Sequence, residues 1–112
     1  MLAGLAEAQK LTGRWYSSDS SRTYEIKGNA NDSFEAILIA SSRKNDTTGF
    51  SVLKHLQYNS RKKRYEGVIY AVSDNQPAFV TIKFDKENSN TLVLTLSRML
   101  GMNVRINWVR AS

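Results

Sequence analysis

The sequence predicts an all-β chain closed into an eight-stranded antiparallel up-and-down barrel. Three observations carry that expectation. Beyond residue 10, apolar residues recur with a period of two rather than a helical period. Short alternating runs are separated by clusters of Gly, Asn, Asp, Ser or Pro, which turn chains for separate steric reasons. An open sheet of about eight strands would leave two unpaired edges and a bare apolar face, and closure removes both. A seven- or eight-stranded sandwich is the alternative architecture.

Strands are expected near residues 12–18, 22–28, 33–40, 50–58, 64–71, 78–85, 91–98 and 102–110. The connections read "SSDSS", "GNAND", "SSRKNDTTG", "NSRKK", "SDNQP", "DKENSN" and "MLG". The first run carries Gly13-Arg14-Trp15 and the second Tyr24. In the third, Phe34, Ala36 and Leu38 face inward, which leaves Ile37 and Ile39 outside and in need of a cover, from the leader or a second subunit. In the fourth, strict alternation puts Phe50, Val52, Lys54, Leu56 and Tyr58 on one face and His55 on the other. The fifth is "YEGVIY", 65–70. In the sixth, Val80, Ile82 and Phe84 oppose Thr81 and Lys83, and in the seventh Leu92, Leu94 and Leu96 oppose Thr91, Thr95 and Ser97. The last run places Met102, Val104, Ile106, Trp108 and Arg110 on one face and Asn103, Arg105 and Asn107 on the other. Alternation of this kind means one buried and one wet face.

The length of 112 residues suits one domain, with residues 1–10 as a leader or signal-peptide remnant and 11–112 as a single β-barrel domain. "AEA" before Gln9 is similar to the end of a secretory signal, and a frayed helical turn is the other reading of the same residues. The absence of cysteine excludes disulfides, thiolate metal sites and cysteine nucleophiles, and the single histidine, His55, excludes a multi-histidine metal site. There is no phosphate loop, nucleophile elbow or metal-ligand spacing, so neither an enzyme nor a cofactor is expected. A net charge of +6 attracts nucleic acid, anionic lipid or acidic glycans, and equally fits a basic surface that binds none of them.

Gly13-Arg14-Trp15 on a first strand resembles the G-x-W signature of the calycin superfamily: lipocalins, fatty-acid-binding proteins and avidins. The resemblance implies a Trp lying across the closed end of the barrel under a basic residue from the last strand, for which Arg110 is the matching candidate. The physics is independent of the family, because a guanidinium over an indole face contributes roughly 0.5–2 kcal/mol. "LTGRW" is also similar to the start of avidins, but their biotin sites need further Trp and only Trp108 remains. In length and ending, the chain looks most like a bacterial lipocalin-like domain family of uncharacterised function. The resemblance runs through G-x-W, "YEGVIY" and "NWVR" (107–110), and it implies export to a periplasmic or secreted location. Where that family has an Asp-rich stretch before the fourth strand, this chain keeps only Asn45-Asp46.

The candidate ligand-binding residues are Tyr24, Lys54, Leu56, Tyr58 and Tyr70. An inward Lys54 would bind a carboxylate or another anion; a bulge that shifts the register, or a place near the rim, is the favoured alternative. Tyr16, Tyr24 and Tyr70 equally suit core packing with hydrated hydroxyls. Met99, Leu100 and Met102 are core filler or a cap on one end of the barrel. The expected function is a non-enzymatic, exported binding module for a small apolar or amphipathic ligand or a protein partner. Two alternatives stand beside it: an envelope or adhesion protein acting through its outer surface as a homo-oligomer, and a nucleic-acid or acidic-glycan binder using Arg61 to Arg64, a run that reads otherwise as a solvated turn.

Overall fold

The computed structural model describes residues 10–73, 75–97, 101 and 103–111. Eight strands form a closed barrel in sequence order: β1 (Gly13–Ser17), β2 (Arg22–Gly28), β3 (Ser33–Ser41), β4 (Ser51–Asn59), β5 (Arg64–Tyr70), β6 (Pro77–Phe84), β7 (Thr91–Ser97) and β8 (Asn103–Arg110). Every neighbouring pair is antiparallel. Closure is made by β1 on β8, with Trp15 opposite Arg110, Tyr16 opposite Val109 and Ser17 opposite Trp108. The expected barrel is therefore the observed one, and the sandwich is not. The leader residues 1–9, and Met99, Leu100 and Met102, lie outside the described residues.

The period-two reading holds along β6 and β7 and, in β8, from Ile106 onward, Val104 being 43% exposed. Val80 and Ile82, then Leu92 and Leu94, are wholly buried, and Trp108 nearly so. β3 also follows expectation: Phe34, Ala36 and Leu38 face the interior, and Ile37 and Ile39 sit half-buried on the outer face. Among the described residues, no polar or charged residue is buried, so the interior is an apolar core with aromatic content.

β4 departs from strict alternation. Against β3, Leu56 pairs with Phe34 and Leu53 with Ala36, so three steps on β4 span two on β3. Against β5, Lys54 pairs with Val68 and Gln57 with Glu66, again three steps against two. The extra residue is a β-bulge, and His55 takes the left-handed conformation there (φ 58°). A second register shift lies between the partners of Ala36 and Ile37. Val52 and Leu53 are consequently both buried, and Lys54 and His55 both exposed. Of the two readings of Lys54, the favoured one, a bulge that shifts the register, is the one observed: its ammonium lies on the outer wall, 4.9 Å from the centre of the Tyr70 ring, and not inside the barrel as a ligand contact.

The bulge explains Gly67. A Cβ at that position would lie 2.9 Å from both Leu56 Cα and the Lys54 carbonyl oxygen. Only a residue without a side chain lets the bulged backbone come this close to β5.

Candidate functional site

An up-and-down barrel has two ends, and here they differ. The chain enters at one end, where the β2–β3, β4–β5 and β6–β7 turns also lie; the other four turns form the opposite end. At the entry end Trp15 is fully buried, and its indole Nε1 donates to the Leu11 carbonyl at 2.9 Å. The Arg110 guanidinium carbon stands 4.2 Å from the centre of the Trp15 ring. Arg110 Nη1 donates to the Thr12 carbonyl at 3.4 Å and Nη2 to the Lys10 carbonyl, so one side chain ties the incoming segment across the opening. Gly13, at φ 127°, adopts a backbone that a side chain resists, and a Cβ there would press on Arg110 Nη1 at 3.3 Å. The G-x-W spacing thus provides the plug and the room for its lid.

Above the plug the packing is largely aromatic, with a hollow of about 140 Å³ beside the β4–β5 turn between Tyr58, Arg64, Tyr65, Ile82 and Phe84. Leu56 is wholly buried, Tyr65 meets Phe34 edge-on with centroids 5.7 Å apart, and Tyr58 meets Tyr65 at 5.0 Å. Further along, Tyr24 and Trp108 stack with centroids 4.1 Å apart and planes 14° from parallel.

Packing gives way on the far side of that stack, at the open end. A cavity of about 130 Å³ is lined by Tyr24 and Trp108, by the apolar side chains of Val52, Ile69, Ala78, Leu96 and Ile106, and at the rim by Arg22, Tyr70, Val72, Ser73 and Gln76. Arg22 is the charged residue of this lining. It is held from behind: Nε donates to Asp46 Oδ2 at 2.7 Å and Nη2 to Asp46 Oδ1 at 3.1 Å, while the Ser41 hydroxyl donates to Oδ2 at 2.6 Å. Both side chains are largely covered, Asp46 to 5% exposure and Arg22 to 17%. This forked pairing holds the Asp46 carboxyl down at about 2, with Arg22 the larger cause and Ser41 the second. Burial raises the Tyr24 phenol above its ordinary value, and the adjacent Arg22 opposes the rise.

The loops at this end are tied to each other. The Ser42 amide donates to the Ser21 carbonyl at 2.9 Å. Arg43 Nη2 pairs with Asp19 Oδ2 at 2.7 Å, and its Nε donates to the Ser21 hydroxyl at 3.0 Å. The β1–β2 turn and the β3–β4 loop thus form one braced rim.

Of the residues expected to bind ligand, Tyr24 and Tyr70 border the cavity. Leu56 and Tyr58 belong to the packed half nearer the plug, and Lys54 to the outer wall. Arg61, Lys62 and Lys63 form the exposed β4–β5 turn at the plugged end, while Arg64 pairs with Glu66 at 2.8 Å. The sequence reading missed Arg22 and Asp46. The one signal was the acidic residue kept before the fourth strand.

No family model and no curated protein sequence matches the chain. Among solved structures, protein HP1028 from the human pathogen Helicobacter pylori, described as belonging to the lipocalin family, superposes with a TM-score of 0.71. The match covers 91% of this chain and 83% of that one at 21% identity. The likeness is one of fold.

Proposed function

We propose, from a chain with a lipocalin-like fold, that this protein is a non-enzymatic binding module whose open mouth takes a small apolar or amphipathic ligand. One observation carries the reading: Trp15 and Arg110 plug one end of the barrel, and of the two hollows of similar size the one at the opposite end, above the Tyr24–Trp108 stack, is the more apolar. The size of the hollow limits the ligand. Drug-sized pockets run to roughly 300–1,000 Å³, whereas an apolar cavity of about 150 Å³ suffices for a benzene ring. At about 130 Å³, the mouth suits one ring or a short branched chain, or the tip of a longer molecule that projects outward.

The likeness to a lipocalin-family structure supports a binding role. Among the described residues, no cluster of three or more His, Asp or Glu stands ready for a metal ion. Export belongs to the same reading and rests on the family resemblance of the motifs. The test is a titration with toluene followed by NMR. Binding in the mouth shifts the Trp108 indole N–H signal and leaves that of Trp15 in place. An unmoved Trp108 signal at millimolar toluene would remove the small-ligand reading.

A further inference from the structure

The mouth presents a cation that is already occupied. Arg22 reaches the cavity, but its Nε and one Nη2 proton are committed to the two oxygens of Asp46 at 2.7 and 3.1 Å. The pair is largely covered, Asp46 more than Arg22, so bulk solvent screens it less than it would a surface pair. Among the described residues, no second charged side chain lines the cavity, since the bulge has carried Lys54 to the outer wall. Among the described residues, the net charge facing a ligand is therefore close to zero. What remains is hydrogen-bonding capacity: a guanidinium has five N–H donors, of which Asp46 uses two and the neighbouring Tyr24 phenol engages one more.

We infer that the mouth selects uncharged ligands that carry one hydrogen-bond acceptor, and that Asp46 imposes this selectivity by neutralising Arg22. The inference rests on the small-ligand reading above and names its ligand class. A carboxylate entering the mouth would lose its hydration among Leu96, Ile106 and Val52, and would meet a guanidinium whose charge is balanced by a carboxylate against it. A neutral hydroxyl or carbonyl loses far less water and still receives an N–H from Arg22. Discrimination of this kind comes from the element that penalises the wrong ligand.

The test uses three probes of one shape: toluene, benzyl alcohol and benzoate, each titrated into the whole protein at neutral pH with the Trp108 indole N–H as the reporter of site. The wild-type protein should bind benzyl alcohol most tightly and benzoate at least about tenfold more weakly. Asp46→Asn keeps the shape of the side chain and frees the charge of Arg22, and should raise benzoate affinity about tenfold or more while moving toluene little. Arg22→Gln should erase the preference for benzyl alcohol over toluene.

Wild-type protein that binds benzoate as well as benzyl alcohol overturns the inference and leaves the small-ligand reading standing. Failure of all three probes to shift Trp108 overturns both. A folded Asp46→Asn variant with no gain for benzoate removes Asp46 from the role. Should that variant not fold, the wild-type ranking of the three probes still decides whether the mouth rejects charge.

Discussion

Arg110 lies directly opposite Trp15 in the β1–β8 register, with its guanidinium carbon 4.2 Å from the centre of the indole ring. The first and last strands are thereby joined by their backbones and by a side-chain lid over one end of the barrel. The contact is also cross-chain in sequence: Arg110 reaches back 98 residues to the Thr12 carbonyl. It therefore forms only when the barrel has closed.

Removing that lid should loosen the plugged end. Arg110→Ala loses the cation–π contact and charge-assisted bonds to two carbonyls, and should cost about 1–3 kcal/mol. Arg110→Lys should recover part of this, since an ammonium restores charge without the planar fork. Urea unfolding checks both, and quenching of Trp15 fluorescence by acrylamide should increase in the alanine variant.

The bulge in β4 sets a pair of opposite requirements. Gly67→Ala should destabilise by about 1–3 kcal/mol or more, because the new methyl would sit 2.9 Å from Leu56 Cα and the Lys54 carbonyl. At His55, where φ is 58°, glycine should be tolerated within about 1 kcal/mol. His55→Val should cost clearly more, because a β-branched residue resists this conformation. Chemical denaturation of the three variants should rank them with His55→Gly the most stable.

Acid should act through Asp46. Its carboxyl is held at about 2 in the fold against an ordinary value of 3.8. Between those values the unfolded chain binds a proton that the native one refuses, so stability from this group rises with pH. The contribution is fully present above about pH 4 and is lost as pH falls through about 2. The stability difference between wild type and Asp46→Asn should accordingly be constant from pH 5 to 7 and shrink below pH 4, as read by urea midpoints across that range.

Filling the cavity should separate binding from folding. Ala78 lines the mouth and is 7% exposed. Ala78→Leu adds three carbons to a space of about 130 Å³, so stability should change by less than about 1.5 kcal/mol. Toluene affinity should fall more than tenfold in the same variant, measured by the Trp108 signal. Equal affinity in both proteins would place the ligand elsewhere.

The barrel and its plug were legible in the chain, because both are written in local patterns. Alternation along β6, β7 and, from Ile106 onward, β8 reports a single buried face wherever the strand lies. Gly13, Trp15 and Arg110 stand at the two ends of a meander that must meet if the sheet closes. Lys54 was not legible in the same way. Period two carried through "FSVLKHLQY" points it inward, and the charge itself is the reason to favour a bulge or the rim, but nothing in the run says which of the two or where the extra residue falls. The available sign was on the neighbouring strand, in a glycine set within the otherwise bulky "YEGVIY".

Arg22 and Asp46 show the same division more sharply. With sixteen Lys and Arg and ten Asp and Glu, the linear chain offers many pairings of equal merit. The register of β2 on β3, which sets Arg22 opposite Ser41, brings this pair together at the rim. Which side of a strand is buried follows from the identities of adjacent residues, so the order of residues suffices to predict a closed, apolar-cored barrel. Where that core stops short of filling the barrel depends on the volumes of side chains arriving from all eight strands and on one extra residue in β4. Those quantities exist only once the strands have been brought around the same axis.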